Sequence, residues 1–396
     1  MNPPFGLPRP ALPVWLRVAL GAQCGLLIGM GLGRFSYTPM VPALIGSGGL
    51  SEAEAGYVGA INLGGYLLGG LAVPWLLRSA DRVFWLRAAM ILSVVCLLAS
   101  AVPGGFAWLA LWRGLVGVSV AVIMILGISS VTATAPPGRT GLATATAYTG
   151  VGIGILLSAA GLPWLLALGT IWAWSGAAAI GLAALAVGLW AWSGPAAEAA
   201  RAIPAPPSSL GSARGDGLRL VLAQGLFAVG LVPHSIYWVD YLVRDLGWTI
   251  GVAGLQWVLF GVAAIAGTLL WGRIADRIGF RTSLIAVYLS MALGATLPVL
   301  APAPWTIVAS SLLVGAQPGL TAIIAGQAQR VMGAGSMLGL WRWMVLSVGA
   351  AQLLGGYGLV ALFNATGSYV AVFLVGGGAF AAGAVLVAGL GTDKGD

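Results

Sequence analysis

Five charged or titratable residues interrupt stretches that are otherwise apolar: Arg34, Arg113, His234, Asp240 and Arg342. A charge held in hydrocarbon costs ~2.5–3.5 kcal/mol at a helix centre, so each needs a partner, a cavity or a route to a surface. The guanidinium chemistry on offer is anion binding or ion pairing. Arg34 has two open readings. It faces an internal cavity and holds an anionic group or a carboxylate, or it snorkels to phosphates at the outer surface. Its neighbours Gly33 and Ser36 suit a packed face. Arg113 lies too deep for easy snorkelling, which leaves a functional role or a structural ion pair. Arg342 stands between Trp341 and Trp343, and Trp favours the membrane–water boundary, so an anchor aided by cation–π contact is expected there.

His234 and Asp240 offer proton chemistry. His234 is the only histidine. Imidazole titrates near neutral pH, and desolvation raises a carboxylate pKa. Asp240 either lies within a span or already stands outside, near Arg244 and Asp245. Six residues apart, the two fall on opposite helix faces and need not touch. Arg113, His234 and Asp240 are thus the proton-coupling candidates. Asn62, Tyr66, Tyr148, Gln256, Gln317 and Gln327 are neutral groups that suit a cavity or glue helix to helix. Asn62 and Tyr66 are four apart on one face and are the favoured substrate contacts. No metal-ligand spacing, phosphate-binding Gly-Lys loop or nucleophile–base pair accompanies them. The expectation is therefore no cofactor, no metal, no enzymatic activity and no ATP-driven pumping by this chain. Cys24 and Cys96 sit inside apolar segments, away from any disulfide framework.

The elements that must carry these residues follow from composition. Of 396 residues 59% are hydrophobic and 7% charged, and mean hydropathy is +0.99. A soluble fold cannot hide that much apolar surface, so lipid is the solvent. Apolar length predicts helices at 14–37, 53–77, 84–102, 106–134, 139–163, 169–193, 218–243, 250–272, 282–301, 304–329, 335–362 and 367–390. Spans of this length without period-2 alternation are helices, since only helices and closed barrels satisfy their backbone in lipid. The Pro-rich start runs into helix 1 without a cleavable leader, so helix 1 is expected to stay. A Pro- and charge-rich segment divides the chain into residues 1–193, a linker at 194–217 and residues 218–396. The expected fold class is all-α and integral to the membrane, with two pseudo-symmetric halves of six helices.

Basic residues alternate with the spans. With the N-terminus inside, fourteen fall on the inner side, one (Arg244) outside and three (Arg34, Arg113, Arg342) within spans. This positive-inside bias places both termini in the cytoplasm. The net charge of +8 is scattered by loop, which argues against a nucleic-acid partner. The expected partners are a small-molecule substrate, protons and membrane lipids, for a monomer.

Ala-Asp-Arg recurs at Ala80-Asp81-Arg82 and Ala275-Asp276-Arg277, each in the second connection of a half. Paired repeats of this kind mark secondary transporters, whose site lies between the repeats near the midplane. The run from Gly272 through Asp276, Arg277 and Gly279 to Arg281 resembles the cytoplasmic loop motif of the major facilitator superfamily. In the first half only Asp81 and Arg82 fit that motif. Arg113-Gly114-Leu115-Val116-Gly117 resembles its helix 4 signature, and no Gly-Pro of the drug-antiporter kind occurs between Tyr148 and Gly161. Gly31 to Pro39 and Asn62 to Gly69 are similar to the YbfB/YjiJ-type branch of bacterial transporters. The resemblance implies inner-membrane transport by alternating access, associates Arg113 with proton coupling, and names no solute. It also implies a cytoplasmic gate of Asp81, Arg82, Gly272, Asp276, Arg277, Gly279, Arg281 and Arg139. In that geometry Asp276 approaches the start of helix 5 at Pro136 to Thr140, accepting its free N–H groups or pairing with Arg139. Gly21, Gly25, Gly29 and Gly33 form an i, i+4 ladder expected to pack closely.

Overall fold

The computed structural model describes residues 12–203, 214–333 and 337–391. Among them are twelve helices long and apolar enough to cross a membrane: α1 Val14–Val41, α2 Glu54–Ser79, α3 Arg82–Ser100, α4 Gly105–Thr134, α5 Thr140–Leu166, α6 Thr170–Ala191, α7 Gly215–Ile236, α8 Gly251–Ile278, α9 Phe280–Leu300, α10 Pro304–Met332, α11 Met337–Thr366 and α12 Tyr369–Ala388. Each overlaps one span expected from apolar length. Large apolar side chains such as Leu68, Trp75, Leu222, Leu354 and Val385 stay exposed on the outside of the bundle, as lipid contact requires. The loops bearing Asp81, Arg139, Arg277 and Arg330 share one end of the bundle, called here the arginine-rich face. Arg9 and Lys394 lie outside the described residues, as does the linker from 204 to 213. Of its described part, Pro195–Arg201 folds as a short helix that buries Ala196, Ala197 and Ala200, and residues 214–217 open α7.

The buried side chains form three cores, and their placement defines the state of the molecule. One core joins both halves at the arginine-rich end, running from Val18 and Ile128 to Leu320 and Val387. The other two do not cross. One lies within the first half around Tyr37, Leu109 and Trp174. The other lies within the second half around Trp238, Tyr241 and Phe373. The halves therefore pack together at the arginine-rich face and part towards the opposite one.

Three membrane helices are interrupted, and each break has a local cause. In α1, Leu27–Arg34 is π-helical, and the Phe35 N–H reaches back five residues to Met30 O at 3.1 Å. Pro39 follows and has no N–H for the carbonyl of Phe35. In α10, regular helix stops at Gly315 and resumes at Gln317. There Pro318 cannot donate to Val314. In α7, Pro233 precedes the break at Ile236, and the chain winds on through Trp238–Asp240 and the π-helical Tyr241–Asp245. Such irregular backbone is tolerated at membrane depth where it lines a cavity or is packed in protein.

Candidate functional site

The breaks in α1 and α10 border a cleft between the halves. Its lining comes from both: Met30, Arg34 and Phe35 on α1, Met124 on α4, and Tyr148 and Val151 on α5 face Gln224, Phe227 and Leu231 on α7, Gln317 and Thr321 on α10, and Val348 and Gln352 on α11. Arg34 ends the π-helical stretch. Its Nη2 donates to Gln352 Oε1 across the cleft. Its guanidinium carbon lies 5.7 Å from the centre of the Tyr66 ring and 5.9 Å from that of Phe35. Tyr148 Oη and Gln224 Oε1 are buried without a hydrogen-bond partner. The site thus combines one guanidinium, neutral amides and a hydroxyl with an apolar and aromatic wall. It can orient a small solute that has an apolar body and few polar groups.

Arg113 lies behind this site, not in it. It is 1% exposed, so its charge must be met by protein. It donates to the carbonyl of Gly33 and, through Nη2, to that of Arg34 at 3.2 Å. Its guanidinium rests 4.8 Å from the Tyr37 ring centre. Arg113 therefore fixes the backbone that presents Arg34. Asn62 donates to Arg113 O at 2.7 Å, and Tyr66 donates to Met124 Sδ at 3.5 Å. Both are buried and neither lines the cleft itself, although the Tyr66 ring lies under the Arg34 guanidinium and beside Gly349 of α11. Gln256 accepts from Ser311 Oγ at 3.0 Å, within the second half. Of the cavity candidates, Arg34, Tyr148 and Gln317 line the cleft, and Asn62, Tyr66, Gln256 and Gln327 do not. Gln224, Gln352 and Thr321 line it without having been singled out. A lone amide in an apolar span was the only sequence signal for the first two, and Gln256 and Gln327 carry the same signal.

The proton-coupling candidates do not converge. His234 is buried, its Nε2 2.8 Å from Ser310 Oγ and its ring stacked on Trp238 at 4.8 Å. It sits one helical turn from Leu231 of the cleft. Asp240 follows the break at Ile236, in a helical path that winds on through Trp238–Asp240 and the π-helical Tyr241–Asp245. Its carboxylate takes Arg244 Nε at 2.9 Å and the Tyr369 hydroxyl at 2.5 Å. Arg342 is half-buried with its guanidinium carbon 5.4 Å from the Trp343 ring centre.

At the arginine-rich face α8 touches the start of α5. Asp276 accepts the backbone N–H groups of Gly141 at 2.7 Å and Leu142 at 2.8 Å. These are orphan donors of the first helical turn, where a carboxylate is favoured. The approach is backbone to backbone, since a Cβ on Gly141 would lie 2.4 Å from Gly272 O. Arg139 and Arg277 are exposed, and Asp276 is engaged by the α5 amides instead of by the Arg139 side chain. Gly279, at φ 86°, ends α8, and Arg281 donates to Ala388 O at 2.5 Å. The first-half copy of the repeat behaves differently. Asp81 caps α3 through the Phe84 N–H at 2.9 Å and pairs with Arg201 of the linker helix at 3.3 Å. Burial pushes the Asp81 carboxyl up, but the Phe84 N–H and Arg201 outweigh it and hold it below the ordinary carboxylate range. Arg82 is buried and donates to Ser129 Oγ at 2.8 Å and Ser130 Oγ at 3.4 Å. Both residues bind within their own half, whereas Asp276 spans the seam. The glycine ladder of α1 lies against Trp192 and, on α4, against Ile123, Val120 and Val116.

Comparison with known proteins places this geometry. A family model described as "Uncharacterised MFS-type transporter YbfB" matches residues 26–388. No curated protein sequence matches the chain. Among solved structures, the chain is similar to a bacterial homologue of the iron transporter ferroportin in an outward-facing state. That likeness has 16% identity and a TM-score of 0.73, and covers 95% of this chain and 99% of that one. It is similar to the transporter FucP in the outward conformation, at 14% identity and a TM-score of 0.75 over 93% and 97%. It is similar to the proton:xylose symporter XylE bound to 6-bromo-6-deoxy-D-glucose, at 17% identity and a TM-score of 0.73 over 94% of each chain. At these identities the likeness is one of fold.

Proposed function

The chain belongs to the family of MFS-type transporters described as YbfB, and from that premise we propose that it is a secondary active carrier of a small organic solute working by alternating access. The observation that carries this reading is the arrangement of the cores. One core bridges the halves at the arginine-rich face, and separate cores hold each half at the other. A central cleft closed on one side and parted on the other is what an outward-facing carrier needs. Asp276 on the α5 amides is the latch of this state, and breaking it favours the inward-facing one. The arginine-rich face is the cytoplasmic one, with both termini there, in a bacterial inner membrane, and the carrier works as a monomer.

Transport is coupled to protons. Two of the similar solved structures are of proteins named as proton symporters, for fucose and for xylose. In this chain His234 is the coupling group, because it is the sole histidine and lies one turn from the cleft. Asp240 is taken up by Arg244 and Tyr369 and has no part in coupling.

The alternating-access reading is tested by thiol labelling after Cys24 and Cys96 are replaced. Phe35→Cys in the cleft reacts with an impermeant maleimide added outside, and Thr132→Cys at the closed end does not. Equal reaction at both overturns the outward-facing assignment. For coupling, the solute that most raises the melting temperature in a screen is followed into proteoliposomes. His234→Ala removes stimulation by an inward proton gradient, and Asp240→Asn keeps it. Undiminished stimulation in His234→Ala refutes the coupling role.

A further inference from the structure

We propose that the solute is a small organic monoanion, a monocarboxylate with an apolar body, which displaces Gln352 from the guanidinium of Arg34. This deepens the carrier reading and rests on it.

Arg34 presents a full charge to the cleft. The contacts that meet it are the Gln352 amide oxygen and the faces of two aromatic rings. Ring faces and a neutral amide offset part of the cost of a buried cation and leave its charge unneutralised. A carboxylate of the protein is not at hand. Among the described residues, every Asp and Glu stands at a helix end or in a loop. The nearest second cation adds to the positive potential: Arg113 stands directly behind, bonded to the Arg34 carbonyl. Its donors are turned onto the carbonyls of Gly33 and Arg34, so it reinforces the field without offering a second fork.

These facts set the ligand class. One free guanidinium fork matches one carboxylate in bidentate geometry. A second negative charge on the ligand would find no cation in the lining. Met30, Phe35, Met124, Phe227 and Leu231 supply an apolar and aromatic wall for the remainder of the molecule. The anion also joins the halves. Arg34 belongs to the first half and Gln352 to the second, and Gln352, once displaced, has its amide N–H groups beside the same carboxylate. Binding thus replaces a neutral bridge across the cleft with a charged one.

The test uses purified protein in lipid nanodiscs at pH 7, with affinities taken from thermal shifts. The probes are matched pairs: benzoate and benzamide, phenylacetate and phenylacetamide, hexanoate and hexanamide, with phthalate as the dianion. At least one carboxylate is expected to bind tenfold or more tightly than its amide, and phthalate more weakly than benzoate. Arg34→Gln is expected to bring the carboxylate-to-amide ratio close to one. Arg34→Lys, which keeps the charge without the fork, is expected to keep the preference with several-fold weaker binding. A ratio near one for every pair in the wild type overturns the proposal, as does a preference that survives in Arg34→Gln. Phthalate binding as tightly as benzoate overturns the monoanion assignment. Should Arg34→Gln fail to fold, unchanged carboxylate binding in Arg34→Lys overturns it alone. Proteoliposome uptake is scored apart from binding. Selective carboxylate binding without any uptake removes the carrier reading, whereas gradient-driven uptake that ignores the carboxylate removes only this inference.

Discussion

Replacing Asp276 with asparagine should shift the carrier from its outward-facing towards its inward-facing state. The carboxylate accepts two N–H groups at 2.7 and 2.8 Å, one to each oxygen. Hydrogen bonds to a charged group contribute ~1.5–3 kcal/mol each. An anion at a helix N-terminus adds ~0.3–1 kcal/mol. Asparagine keeps one carbonyl oxygen and so one neutral bond, and it sets an NH2 group against the second N–H. Asp276 is half-buried, and solvent screens part of the charge. The net loss is then ~1–3 kcal/mol, a change of about 5- to 150-fold in the balance of states. The close approach of Gly141 to the backbone of Gly272 is left in place by the substitution. The assay is thiol labelling of Thr132→Cys, which is buried beside Met337 at the closed end. Its labelling rate should rise by that factor in the Asp276→Asn background, while labelling of Phe35→Cys from outside falls. Rates unchanged at both positions would refute the latch and with it the reasoning from helix-terminal donors.

Gly141→Ala tests the same seam by a steric route. Its Cβ would meet Gly272 O at 2.4 Å and Asp276 Oδ1 at 2.9 Å, so the helices must separate; Thr132→Cys labelling should rise although the carboxylate is intact. Arg113→Lys cannot hold both the Gly33 and the Arg34 carbonyls. Losing one charged hydrogen bond costs ~1.5–3 kcal/mol, seen as a lower melting temperature with carboxylate selectivity kept. Docking of the linker helix through Asp81 and Arg201 has a defined pH response. The Asp81 carboxyl is held below its ordinary value, so its contribution is fully present above about pH 4 and is lost as pH falls through the lowered value. Exchange protection of residues 195–201 should therefore be flat from pH 5 to 8, and a drop within that window would count against the ion pair.

Helix number and order were legible because lipid leaves the backbone no other way to satisfy its hydrogen bonds, and apolar length reads that demand directly. The approach of Asp276 to the start of α5 was legible only through the family resemblance of its loop motif, which implies that neighbour. The interruptions were not. Leu27 to Arg34 has the composition of a regular helix; Pro39 removes one donor locally, whereas the Arg113 donors on the Gly33 and Arg34 carbonyls come from another helix. Asn62 and Tyr66 do share a helix face, but Asn62 bonds to α4, and Tyr66 reaches Met124 of α4, the Arg34 guanidinium and Gly349 of α11 without lining the cleft. Periodicity shows which residues face together without showing what they face. Asp240 read two ways because apolar Trp238, Val239, Tyr241 and Leu242 surround it while Arg244 and Asp245 follow, and its partners, Arg244 and Tyr369, could not be chosen from sequence alone. Arg82 matched a surface motif but is buried, since the two serines that receive it lie on α4, far away in sequence.

The central claim is that two halves rock about a central cleft, and paired distances in lipid test it most directly. Spin labels at Leu168 and Gly251 report the parted end, and labels at Arg139 and Arg273 report the arginine-rich end; all four are exposed. Comparing the wild type with Asp276→Asn, the account predicts that the first distance shortens as the second lengthens. Both distances fixed, or both moving in the same direction, would contradict it.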